Sequence, residues 1–472
     1  TDHYPTSNVR QLSYGPGAVY WQLHLWSLWD GDRAASLVQW FASIGSALAL
    51  SVWIRRLIPR GSVGLAVLVG LTLPMGILQA SSSQTDLQVT AWLLIAVTLM
   101  ARTKSGKSSS LVFAGVAFGM AVLTKPVAVL VGVPLATLVL WKIYRRSSAT
   151  NALRAGLVTV VLGLLVCAPH FWRNQTTFGD PLGSSAGTLL EERSIGDLTA
   201  NATRWALLNV PSMTAWETAT DMLKGMGVDV NNPATTYHGL HFSPAHREIV
   251  YRLLLPDEDF AAYTPVLILI AILAVIFWRR RVISPGARPW WVAMTIAALL
   301  YPTMLQWQCW GNRLLLPLAW FALPLLLVRT GVSSSPIARR VVAIGLLLFT
   351  SFTVGFSINR PLVELPPTWR FAGDTLPPYA ASRDDRFYLG YNEEAADVAA
   401  QFVTLAAERK WRAIGLQVDW NYPEYVLWRA LHEAGQGHVQ VHHVNTVEGN
   451  GLVPLTLKFD GYLHSESSDP PP

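Results

Sequence analysis

Four short stretches set ionisable side chains beside long apolar runs. In Ser81-Ser82-Ser83-Gln84-Thr85-Asp86 a carboxylate stands where one apolar run ends and the next begins. A charge at membrane depth is costly unless it is paired, hydrated or metal-bound, which marks Asp86 for chemistry; as a favoured N-cap residue it also suits the plain start of a helix. Lys125, in Thr124-Lys125-Pro126, parts two short apolar runs, where an ammonium suits a lipid phosphate or simply snorkels. His170, Arg173 and Asn174 follow a third run, and Arg313 follows Trp310-Gly311-Asn312. The arginine fork suits bidentate phosphate contacts. Asp257, Glu258 and Asp259 form a carboxylate cluster that reads more readily as a solvated loop end than as a metal site. Three cations and a carboxylate at run ends suit an anionic, lipid-linked substrate. The carboxylate could act as a general base towards a hydroxyl or hold a divalent metal such as magnesium or manganese.

The apolar runs must position these groups. The chain has 472 residues, 51% hydrophobic and 14% charged, with 20 Trp and mean hydropathy +0.32. Soluble domains carry roughly 25% charge, so a polytopic α-helical membrane protein is expected, with about ten spans. They are placed at 34–54, 62–79, 87–101, 110–123, 126–141, 155–171, 262–278, 289–308, 314–328 and 341–357. Arg/Lys clusters (Arg55, Arg56 and Arg60; Arg102, Lys104 and Lys107; Lys142, Arg145, Arg146 and Arg154; Arg279 to Arg281 and Arg288; Arg329, Arg339 and Arg340) occupy alternate loops. Basic loops favour the cytoplasm, so the intervening loops, with Asp86, Lys125, Arg173 and Arg313, fall outside a plasma (inner) membrane. The net charge of +6 belongs mostly to these clusters and gives no support to nucleic-acid binding. Cys167 and Cys309 fit neither a structural disulfide nor a zinc pattern.

Five regions follow: 1–33, the end of an external loop with an interfacial helix at 18–29; 34–171, N-terminal spans; 172–261, a large external loop with helices near 194–209 and 215–226; 262–357, C-terminal spans; and 358–472, an extracytoplasmic α/β domain. In that last region helices are expected at 393–410 and 422–434, strands at 413–419 and 438–444, and disorder at 464–472. The sequons at Asn174 and Asn201 are discounted as short, error-prone motifs.

The ordered stretches His3-Tyr4-Pro5-Thr6 to Gly15-Pro16, Thr85-Asp86, Gly115 to Thr124-Lys125-Pro126, and Pro169 to Pro181 resemble membrane glycosyltransferases of the GT-C fold. The closest likeness is to the branch of protein O-mannosyltransferases and the lipid A aminoarabinose transferase. The resemblance implies sugar transfer from a polyprenyl-phosphate donor to a lipid, glycan or protein acceptor on the outer face. It also implies that Asp86 serves a metal or the acceptor, and that Lys125 and Arg313, helped by Arg10, neutralise the donor phosphate. In that family an aspartate of the first external loop is the usual base. Asp2 lies too late for that motif, so the base is expected before Thr1. The alternative from another class is a transporter or flippase of lipid-linked glycans, which would need ionisable groups deep in its spans and repeated halves. A scaffold whose outer tail binds a partner would leave Asp86, Lys125 and Arg313 without a role.

Overall fold

A computed structural model describes residues 13–29, 31–57, 63–103, 108–183, 189–237, 242, 250, 258–277, 288–330, 332, 335–358, 361–364, 393–417, 424–443 and 460–464. The chain divides into two compact units. One comprises Gly15–His170 and Ala186–Ile358, the other Thr1–Tyr14, Phe171–Ser185 and Asn359–Pro472.

The larger unit is helical. Its elements are α1 Val19–Trp29, α2 Leu37–Ile54, α3 Val63–Leu71, α4 Pro74–Ala80, α5 Asp86–Arg102, α6 Ser108–Thr124, α7 Ala128–Arg146 and most of α8 Ala149–Phe178. There follow α9 Ile195–Leu207, α10 Met213–Gly225, α11 Thr264–Ile276, α12 Arg288–Met304, the single turn α13 Gly311–Leu314, α14 Leu316–Arg329 and α15 Pro336–Gly355. Each expected apolar run contains a helix, although 289–308 leaves its helix after Met304 and pairs through Leu305 and Trp307 in isolated bridges. Among the described residues, four helices are by length and composition able to cross a membrane, α7, α8, α15 and Asp32–Ile54, and a bent pair makes a fifth if it is one span.

That pair fills the run 62–79, expected as one unbroken span. It is broken into α3 and α4, bent by 64°. Pro74 supplies the cause, because the residue before a proline is pushed out of the helical region, and Leu73 is extended at φ −61°, ψ 125°.

Helix α5 packs between α2 and α6 and also meets α7 and α14. Trp53 of α2 meets Trp290 and Phe321 edge-on, at 5.0 and 5.2 Å between ring centroids. Where α6 crosses α8, a Cβ on Gly119 would stand 2.8 Å from the Gly163 carbonyl oxygen, so only small residues permit that approach. Leu157, Leu164 and Leu165 of α8, Ile268 and Ile272 of α11 and Leu348 of α15 are exposed. Outward apolar faces of this extent belong in lipid, and this is a multi-pass membrane protein.

The segment between α8 and α11 carries α9 and α10, near the expected 194–209 and 215–226, whose N-caps Ser194 and Ser212 accept from the amides of Asp197 and Ala215. Fully buried Arg204 donates to the carbonyls of Ala200 and Val230 and to Thr235 Oγ1. Backbone bonds from Trp307 to Thr235 and from Tyr237 to Trp307 tie this loop to the stretch before α13.

The smaller unit carries α16 Glu393–Glu408, β1 Ala413–Gln417, α17 Glu424–Glu433, β2 Gln440–His443 and β3 Gly461–His464. All but β3 lie within the expected segments. The sheet is parallel, ordered β2-β1-β3, with Ile414 opposite Val441 on one side and Gly461 on the other. Phe402, Trp411, Leu427, Leu431 and Val439 close its core. Strand β3 escaped the sequence pattern because it is short and holds only Tyr462 and Leu463 as apolar residues. Of the stretch 464–472, expected to be disordered, His464 instead ends β3, and 465–472 lie outside the described residues.

Candidate active site

Asp86 opens α5, and its burial (2% exposed) follows from the packing of α5 among α2, α6 and α7. Lys125 lies in the short link between α6 and α7 and reaches back so that its Nζ stands 2.6 Å from Asp86 Oδ1. Pro126 and the α6 end give that link its shape. The turn Gly15-Pro16-Gly17 is pressed against it: Gly17 N–H donates to the Leu123 carbonyl at 3.1 Å. A Cβ on Gly15 would fall 1.9 Å from that same oxygen. Glycine is thus required there by close backbone approach.

The other oxygen of Asp86, Oδ2, is buried and has no hydrogen-bond partner among the described residues. A buried acceptor left without a donor costs about 1–3 kcal/mol, which is the expected state of a group awaiting one. Burial draws the Lys125 ammonium below the ordinary lysine pKa and Asp86 opposes that draw; Lys125 also feels the charges of Arg313 and Asp259.

Arg313 sits on α13. Its Nη1 donates to Asp259 Oδ1 at 2.5 Å and to Gln84 Oε1 at 3.3 Å, while Gln84 Nε2 donates to the same Asp259 oxygen at 3.3 Å. The turn itself is clamped. Tyr263 Oη donates to the Asn312 carbonyl at 2.9 Å and Tyr301 Oη to the Leu314 carbonyl at 2.8 Å. Asn312 Nδ2 donates to the Leu208 carbonyl, and Asn209 Nδ2 donates to Asn312 Oδ1. A guanidinium on a turn so held is pre-organised for an anion.

Buried amides link the two ion pairs. Gln88 N–H donates to Gln39 Oε1, Gln39 Nε2 to Gln79 Oε1, and Gln79 Nε2 to the Glu258 carbonyl. Polar side chains inside apolar helices are the signal that would have found Gln39, Gln79 and Gln88. Gln84 stood beside Asp86 in the same serine-rich stretch.

Of the residues singled out by sequence, Asp86, Lys125, Arg313 and Asp259 come together. Arg173 and Asn174 belong to the smaller unit, where buried Asn174 donates to the carbonyls of Ser13 and Pro181 at 3.1 and 3.4 Å. His170 lies on α8, half-buried. Arg10 and Asp257 lie outside the described residues. Buried Asn201 donates to the carbonyls of Pro302 and Leu305, so neither it nor Asn174 offers its amide to a glycan.

A metal at Asp86 finds a poor donor set. Lys125 holds one carboxylate oxygen, and among the described residues no group of three His, Cys, Asp or Glu side chains gathers to hold an ion. The arrangement is able to bind a phosphate through Lys125 and Arg313 and to accept a proton at Asp86 Oδ2.

No curated protein and no solved structure matches the chain. A family model described as dolichyl-phosphate-mannose-protein mannosyltransferase matches residues 16–172, which carry Asp86 and Lys125 but not Arg313. A mannosyltransferase-like domain of the GT-C superfamily is therefore detected over residues 16–172 of this membrane protein.

Proposed function

We propose that the larger unit transfers a sugar from a polyprenyl-phosphate donor to a hydroxyl-bearing acceptor at the extracytoplasmic face of the membrane. The observation that carries this reading is the pairing of buried Asp86 with Lys125, with one carboxylate oxygen engaged and the other left without a donor among the described residues. In the proposed reaction the acceptor oxygen attacks the anomeric carbon, and the bond from that carbon to the phosphate oxygen breaks. The leaving polyprenyl phosphate takes the bonding pair. Lys125 and Arg313 neutralise the charge that develops there, and Asp86 Oδ2 takes the hydroxyl proton. Fixed cations aimed at the developing charge supply a large share of such catalysis.

The flippase reading draws on one observation, the 64° break between α3 and α4, since transporters build sites from discontinuous helices. Against it, the paired ionisable groups lie at helix ends, and the break has no repeated counterpart among the described residues. A photoreactive polyprenyl phosphate tests the site in proteoliposomes. It is expected to label peptides containing Lys125 or Arg313; labelling confined to the basic loops at the other helix ends would sink the proposal.

A further inference from the structure

Asp86 and Asp259 are both paired with cations, yet they are built differently. Asp86 is 2% exposed, and leaving Lys125 would strand its charge in the protein. Asp259 is 35% exposed and Arg313 22%, so Asp259 is able to turn into water at small desolvation cost. One Asp259 oxygen receives two donors from separate elements, Arg313 Nη1 at 2.5 Å and Gln84 Nε2 at 3.3 Å. Convergent donors on one anionic oxygen are also what a phosphate oxygen requires.

The backbone on both sides of this ion pair is held by side chains from other elements. Arg313 is fixed through the carbonyls of α13 by Tyr263 and Tyr301. The backbone before Asp259 is fixed by Gln79, whose amide donates to the Glu258 carbonyl at 2.6 Å. The Lys125 charge is also felt by Arg313 and Asp259.

We infer that Asp259 is an internal counter-ion that the donor's lipid-linked phosphate displaces from Arg313 and Gln84, so that Asp259 sets donor affinity. The inference rests on the phosphate-binding reading of the site. Occupied by its own carboxylate, Arg313 Nη1 is closed to weak anions. A lipid-linked phosphate, delivered along the bilayer at high local concentration, displaces it and its charge repels the carboxylate outward.

Binding of undecaprenyl phosphate to the purified protein in nanodiscs tests this without requiring turnover. Asp259→Asn is expected to tighten binding about three- to tenfold, the worth of an exposed ion pair plus the removed repulsion. Asp259→Ser should do the same, which separates loss of charge from a new amide contact. Arg313→Gln is expected to weaken binding about tenfold or more. Undecaprenol, without phosphate, should respond to none of these changes, and inorganic phosphate should compete only weakly. If Asp259→Asn and Asp259→Ser leave binding unchanged or weaken it while Arg313→Gln weakens it, Asp259 positions Arg313 and the inference falls alone. Inorganic phosphate competing as well as the lipid would overturn the lipid-linked source. If Lys125→Met and Arg313→Gln both leave binding intact, the phosphate-binding reading itself falls.

Discussion

The two ends of the helical unit treat positive charge in opposite ways. At the end carrying Asp86, Lys125 and Arg313 each meet a carboxylate, at 2.6 and 2.5 Å. At the other end Arg56 follows α2, and Arg102 and Arg146 close α5 and α7. Arg56 donates to the Ala101 carbonyl at 2.5 Å, and none of these three arginines has an acidic partner among the described residues. The segments 55–62, 102–109, 142–154, 279–288 and 329–340 hold no Asp or Glu at all. Burial, then Arg102 and Arg146, draw the Arg56 pKa below the ordinary arginine value. Cations at helix C-termini gain from the helix dipole and face phospholipid headgroups, so they fix topology without protein counter-ions. Cations at the opposite mouth are neutralised within the protein, which is where an exchangeable anion can act.

The comparison predicts unequal costs for removing charge. Lys125→Ala strands the buried Asp86 carboxylate and is expected to cost about 3–5 kcal/mol, read as a fall in unfolding temperature in detergent; Asp86→Asn with Lys125→Met together should recover much of it. A smaller loss breaks the same mouth through its backbone. Gly15→Ala forces a methyl into the Leu123 carbonyl and should cost about 1–3 kcal/mol. At the opposite end, Arg56→Gln or Arg146→Gln should change stability in neutral detergent by under about 1 kcal/mol, with a deficit appearing only in anionic lipid. Equal losses at both ends would erase the distinction.

Asp460 sharpens the comparison with a carboxylate held chiefly by backbone amides. Its Oδ2 accepts from the amides of Arg412 and Ala413 at 2.7 and 3.0 Å. These bonds, that of Arg412 foremost, hold its pKa below the ordinary value of 3.8. A depressed carboxylate stabilises above its unfolded pKa and loses that contribution as pH falls through the folded one. Hydrogen exchange at β1 and β3 should therefore rise as pH drops below about 4, after correction for intrinsic rates, and Asp460→Asn should show the raised exchange already at neutral pH.

Much of the fold was legible because burial in lipid leaves long apolar runs. The break at Leu73-Pro74 was legible too, in the proline, but hydropathy alone merged α3 with α4. Asp86, Lys125 and Arg313 stood out as charges beside apolar runs. Their pairing did not, because Asp86 meets Lys125 and Arg313 meets Asp259 only once helices distant in sequence pack. Gln39, Gln79 and Gln88 were hidden by apolar neighbours that dominate any average over a helix. Asn174, conspicuous in sequence beside Arg173, is a structural clamp on Ser13.

Sugar transfer from radiolabelled polyprenyl-phosphate donors, measured for the full-length protein in liposomes with candidate acceptors, tests the central claim most directly. The account predicts transfer by the unaltered protein and a loss of about a hundredfold or more in both Lys125→Ala and Asp86→Asn, the scale set by removing one pre-organised electrostatic group. Transfer left intact in both variants would contradict it.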